Sequence, residues 1–123
     1  MLKQKIGYSY NDVTIVPSII SDIKSRSECD PYVDGKLPIF ASPMASVVSK
    51  ENYKIFEANK ITPILPRIQE YDINYRINKL YESWWVAVSL KEFKNEIMNE
   101  LKEDCPNDFT FRVCIDTELW GPF

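Results

Sequence analysis

The sequence predicts an α/β fold, with about four parallel strands and three helices behind an N-terminal arm. Two observations carry that expectation. Short apolar runs of strand length alternate with segments of helical period. The runs begin at Pro38, Ile61, Trp84 and Phe109, about 23 to 25 residues apart, which is the repeat of a compact βα unit. Strands that alternate with helices in this way lie parallel, with a right-handed crossover between successive strands.

The elements follow in order. Residues 1–36 read as an irregular arm, in which Val13-Thr14-Ile15-Val16 is a short strand closed by Pro17, and Asp30-Pro31 and Asp34-Gly35 are turn signals. Residues 37–117 carry the βα units. Pro38–Ala41 is the first strand. Ser49 caps a helix to about Asn59, with Tyr53, Phe56 and Ile55 as its buried stripe. Ile61–Leu65 is the second strand, and Pro63 within it is a local conflict because it donates no ladder hydrogen bond. Ile73, Ile77 and Leu80 set the face of a helix over about residues 71–82. Trp84–Val88 is the third strand. Ser89 and Glu92 form a capping-box pattern ahead of a helix whose face is Phe93, Ile97, Met98 and Leu101. Phe109–Ile115 is the fourth strand, and residues 118–123 are a divergent tail.

Composition bounds the rest. At 123 residues the chain is one domain at most, and 45% hydrophobic and 13% aromatic content suffice for a packed core. A net charge of -3 gives no electrostatic footprint for DNA or RNA, yet leaves room for a mononucleotide held by a few N–H groups. There is no histidine, so the commonest general base and metal ligand is missing. Cys29, Cys105 and Cys114 fit no metal-binding spacing, and no metal site is expected. No window is apolar enough to span a bilayer, and a reducing cytoplasm is the simplest compartment.

In parallel α/β folds, ligands bind beyond the carboxyl ends of the strands. The residues expected there are Ser42–Ser46, Pro66 and Arg67, Ser89 and Leu90, and Asp116–Glu118. Each has a plain structural alternative: Ser89 as a helix cap, Arg67 as a salt-bridged loop residue, Asp116 as a cap for a following helix.

Tyr10-Asn11-Asp12-Val13-Thr14-Ile15-Val16-Pro17-Ser18, followed by Leu37-Pro38-Ile39-Phe40-Ala41-Ser42-Pro43-Met44, resembles the opening of the barrel in the IMP dehydrogenase/GMP reductase family. The resemblance implies a partial TIM (β/α)8 barrel, of which a complete copy needs about 250 residues. It implies substrate-binding roles for Ser42 and Met44, which match the turn that touches the purine nucleotide (IMP or GMP) in that family. It also implies that Asp116 and Thr117 lie by the nicotinamide cofactor, NADP or NAD. Ala45 departs from the family's aspartate, and Glu118–Phe123 departs from its glycine-containing continuation. Tyr81-Glu82-Ser83 runs straight into Trp84, leaving no room for the regulatory insert usual in IMP dehydrogenases, so the layout is closer to GMP reductases.

The family's cysteine nucleophile and its phosphate-binding loops lie in the second half of the barrel, beyond Phe123. No cysteine here occupies such a loop, and no catalytic residue is assigned. Activity is therefore expected to need a C-terminal complement. The competing expectations are an inactive nucleotide-binding remnant and a self-associating half barrel. Trp84, Trp85 and Phe111 are expected among the apolar side chains left open on the barrel-facing side.

Overall fold

The computed structural model describes residues 7–103, 106 and 108–116. The chain falls into two compact units, one ending at Asp30 and the other beginning at Pro31.

In the first unit the regular elements among the described residues are two single turns of 3-10 helix, Tyr10–Asp12 and Arg26–Glu28. Ser9 closes the first turn by donating from both its backbone N–H and its hydroxyl to Asp12 Oδ2, each at 3.0 Å. The backbone bond first, and the hydroxyl second, hold the Asp12 carboxyl below its ordinary value. Val13–Val16 is not a strand, contrary to the sequence expectation. Its β-branched residues favour extended backbone, but a strand also needs a neighbour to form its ladder, and these residues belong to no sheet. Ile15, Val16, Ile19 and Ile20 are exposed, Ile19 completely at 100%.

The second unit opens on a two-residue hairpin. Asp34 and Gly35 both take positive φ, 53° and 77°, and Val33 and Lys36 exchange backbone hydrogen bonds of 2.7 and 3.1 Å across them. The Leu37 N–H then donates to Lys60 O at 2.8 Å and leads the chain into the sheet.

That sheet has four parallel strands in the order β1 (Phe40–Ala41), β2 (Thr62–Leu65), β3 (Trp85–Ser89) and β4 (Arg112–Asp116). The three crossovers are α1 (Tyr53–Ala58), α2 (Ile73–Tyr81) and α3, the last a continuous helical path of Leu90–Glu92, a π turn Phe93–Ile97 and Met98–Glu103. Four parallel strands with three helices are what a partial α/β barrel contains. No helix among the described residues is long and apolar enough to cross a membrane.

Pro63 sits inside β2, fully buried, and the ladder accommodates it. Thr62 N–H donates to Ile39 O toward β1. Alternation then turns residue 63 toward β3, where the ladder begins only at Ile64 beside Trp85. The missing donor therefore falls just before the first rung.

One face of the sheet carries the core. Ala41, Leu65, Val86 and Val88 pack against Tyr53, Leu80 and Ile97 from the helices. Each fully buried leucine or isoleucine contributes about 1.5–3 kcal/mol. Trp84 belongs to this helix side, against the expectation of an open position. It is 7% exposed and stacks on Tyr53 with centroids 3.8 Å apart and planes 6° apart. It lies one residue before β3, so the strand's alternation does not govern it. Phe111 packs in an aromatic trio with Tyr81 and Phe109 and is half-buried. Of the three expected residues, only Trp85 lies on the opposite sheet face, edge-to-face with Phe40 at 5.2 Å.

The helix boundaries shift for physical reasons. Ser49 and Asn52 do make the reciprocal pair of a capping box, but it closes a turn, and α1 begins after it at Tyr53. Ile55 points to solvent at 62% exposure, while Phe56 packs on the core. Asp72 caps α2 by accepting from Tyr75 N at 2.8 Å. In α3 the Met98 N–H reaches back five residues to Phe93 O. That π turn absorbs the adjacent apolar pair Ile97 and Met98 and keeps Ile97 fully buried.

Both α1 and α2 end without glycine. Lys60 and Ser83 take the left-handed conformation at φ 65° and 68°. Ile61 N–H donates to Phe56 O at 3.1 Å and Trp84 N–H to Lys79 O at 3.0 Å, the six-to-one bond of a Schellman ending.

Candidate functional site

The carboxyl ends of the strands bring the sequence-predicted residues to one rim. Ser42 and Met44 follow β1, Arg67 follows β2, Ser89 ends β3 and Asp116 ends β4. Thr117 lies outside the described residues, as does Cys105.

The Ser42–Met44 turn is tight. Met44 N–H donates to Ser42 O at 2.8 Å around Pro43. Met44 O accepts from Val47 and Val48 N–H at 2.9 and 3.0 Å. Of the turn's amides, proline has no N–H and that of Met44 is already bonded, so the turn has fewer free donors than its sequence implies. Both side chains remain accessible, with Met44 55% exposed. A hydroxyl and a polarisable thioether are thus presented side by side, groups suited to a polar substituent and a flat base.

Across the rim Arg67 and Asp116 form an ion pair, Nη2 to Oδ2 at 3.7 Å. Arg67 comes from the loop after β2 and Asp116 from the end of β4, on either side of β3, and their side chains are only 12% and 25% exposed. A carboxylate held this way has acceptor positions left over for hydroxyl groups. Ser89, by contrast, is committed to its helix. Its Oγ accepts from Glu92 N–H at 3.1 Å and its own N–H donates to Glu92 Oε1 at 2.9 Å, the capping box expected from the sequence.

Below the rim runs a set of hydrogen bonds that the sequence reading missed. Arg76 is buried in α2. Its Nη1 and Nη2 reach Glu92 Oε1 and Oε2 at 3.1 and 2.6 Å, Nη1 also donates to Ala87 O at 2.8 Å, and Nε donates to Tyr71 O at 2.9 Å. Tyr71 in turn accepts at its hydroxyl from Lys50 N–H at 3.1 Å. One connected path therefore joins the segments that follow β3, β2 and β1. Burial pushes the Glu92 carboxyl up, but the Arg76 guanidinium and the Ser89 N–H outweigh it and leave Glu92 below its ordinary value. The sequence did hold a signal: Arg76 occupies the same face as Ile73, Ile77 and Leu80, and a charge on a buried stripe requires a partner.

Cys114, two residues before Asp116 on β4, is half-buried. Burial first, and the Asp116 charge second, push its thiol up, which keeps it neutral and poorly nucleophilic. Cys29 is exposed in the first unit. Among the described residues no cluster of three or more His, Cys, Asp or Glu could hold a metal ion. With three glycines in the whole chain there is no glycine-rich cradle for a cofactor pyrophosphate.

Comparison with known proteins agrees with the layout. The chain is similar to the GMP reductase of Streptococcus suis (strain 05ZYH33), 25% identical over 121 residues that cover 92% of this chain and 37% of the relative. It is similar to the GMP reductase of Streptococcus agalactiae serotype V, 24% identical over 114 residues covering 86% of this chain and 35% of the relative. The chain thus spans little more than a third of the length of these curated relatives. No family model matches the chain. No solved structure matches it. Over most of its length, then, the chain has a distant GMP reductase-like relationship, carried on a parallel α/β sheet.

Proposed function

We propose that this chain is the N-terminal portion of a purine-nucleotide oxidoreductase of the GMP reductase type, in which hydride passes between a nicotinamide cofactor and purine C2. The observation that carries the reading is the Arg67–Asp116 pair, 3.7 Å apart at the carboxyl ends of parallel strands, on a chain similar to GMP reductases over most of its length. Ligands of parallel α/β folds bind at that end.

In this reading Ser42 and Met44 contact the purine mononucleotide, IMP or GMP. Asp116 accepts from hydroxyls of the cofactor, NADP or NAD, with Thr117 beside it. A nicotinamide cofactor supplies the hydride or takes it up. The nucleophilic cysteine and the phosphate-binding loops come from a C-terminal complement, the barrel strands this chain does not contain. The alternative, a half barrel that binds the nucleotide without chemistry, shares the same turn.

Calorimetric titration of the 123-residue chain with GMP and with IMP tests the reading. Stoichiometric heat that disappears in Ser42→Ala supports it. A folded chain giving no heat with either nucleotide overturns the assignment of the turn.

A further inference from the structure

We propose that Tyr71 and Asn52 are positioning residues for the Ser42–Met44 turn, bracing it against the loop that carries Arg67. The inference rests on the reading of that turn as the contact for a purine mononucleotide.

The turn needs a brace. On its strand side it hangs from β1, which is only two residues long and sits opposite Thr62 and Pro63 of β2, with one further bond from Thr62 N–H to Ile39 O. On its other side the chain runs to α1 through turns rather than regular helix. Asn52 clamps that stretch twice. Its Nδ2 donates to Val47 O at 2.9 Å, and its Oδ1 accepts from Ser49 N–H at 2.7 Å. Val47 and Val48 in turn hold Met44 O. The side chain of Asn52 thus reaches the turn through one intermediate residue.

Tyr71 supplies the fixed point. Its hydroxyl accepts from Lys50 N–H at 3.1 Å, joining the segment after β1 to the segment after β2. Lys50 is exposed as a residue, while the bond from its amide to the Tyr71 hydroxyl is part-buried. Besides pairing that amide, the bond ties two segments 21 residues apart and so sets where the stretch after β1 lies. The ring of Tyr71 is buried and stacks on Tyr75 with centroids 5.2 Å apart, a packing role that phenylalanine would fill equally well. The backbone of Tyr71 is itself pinned by Arg76 through Nε to Tyr71 O. The hydroxyl is therefore mounted on a rigid post, four residues after Arg67, and its reach is toward the nucleotide turn. A turn held in place before binding spares the ligand the cost of ordering it.

The test compares the wild-type chain with Tyr71→Phe and Asn52→Ala. GMP affinity is measured by calorimetry, and amide exchange at Val47, Val48 and Ser49 is followed without nucleotide. Loss of the Tyr71 bond is expected to weaken GMP binding about three- to tenfold, the scale of one net hydrogen bond. The three amides are expected to exchange faster in both variants. A merely structural role would lower the unfolding temperature and leave the affinity, measured well below it, unchanged. Wild type that binds while both folded variants bind equally well, with unaltered exchange, overturns the positioning role and leaves the proposed function standing. Wild type that binds neither GMP nor IMP overturns both. Should Tyr71→Phe fail to fold, Asn52→Ala decides by the same two measurements.

Discussion

Arg76 of α2 grips Glu92 at the start of α3 through two hydrogen bonds, Nη1 to Oε1 at 3.1 Å and Nη2 to Oε2 at 2.6 Å. The same carboxylate caps α3 through the Ser89 N–H. One acidic side chain therefore fixes a helix start, neutralises a buried cation and holds the post on which the rim loops rest.

That arrangement makes the fold's stability depend on pH at the acid end. Glu92 titrates below its ordinary value of 4.5 in the folded chain. A depressed carboxylate stabilises the fold above its unfolded value, and the contribution is lost as pH falls through the folded value. Glu92→Gln is expected to cost about 3 kcal/mol at neutral pH, because it leaves Arg76 buried without its counter-charge. The gap between wild type and variant should narrow below pH 4.5. Urea unfolding at neutral and acid pH measures both effects.

Tyr53 adds a dependence at the alkaline end. Burial first, against the opposing Trp85 N–H bond, pushes its hydroxyl from 10.0 up to about 12. A raised value means the stabilisation is complete below pH 10.0 and disappears as pH rises toward about 12. Tyr53→Phe should lose about 1 kcal/mol at neutral pH, since the Trp85 N–H loses its acceptor. In exchange, its stability should fall less steeply across the alkaline window. Unfolding followed by tryptophan fluorescence over a pH series checks the slope.

The helix endings offer a gain. Lys60 and Ser83 occupy left-handed positions where a side chain costs roughly 1 kcal/mol and glycine costs nothing steric. Lys60→Gly and Ser83→Gly are each expected to raise stability by about 0.5 kcal/mol after the greater freedom of glycine in the unfolded chain is counted. Thermal unfolding of the two single variants measures it.

At the rim, Met44→Ala should leave the unfolding temperature within about 3 °C of wild type, because the side chain is exposed. Its affinity for a purine nucleotide should fall several-fold, about 1 kcal/mol, from lost contact with the base. Calorimetry beside thermal unfolding separates the two.

Strand and helix order was legible because apolar runs and helical spacing both survive without tertiary context. The Ser89–Glu92 box was legible because its two residues are three apart. The endings of α1 and α2 were not, since Lys60 and Ser83 stand where glycine would have announced a left-handed cap. Val13–Val16 misled because β-propensity records a preference for extended backbone and not the presence of a neighbouring strand. The place of Ser42, Met44 and Asp116 at the rim could be read from where the strands end. The bracing by Arg76 and Tyr71 could not, as its partners lie 16 and 21 residues away in sequence.

The central claim is that this chain is part of a working purine-nucleotide oxidoreductase. Its most direct test mixes the chain with the portion of the Streptococcus suis GMP reductase that it does not match, and follows oxidation of NADPH in the presence of GMP. Turnover in the mixture, absent from either piece alone and lost with Asp116→Asn, is the expected result. A mixture that forms a stable, folded complex and never oxidises NADPH would contradict it.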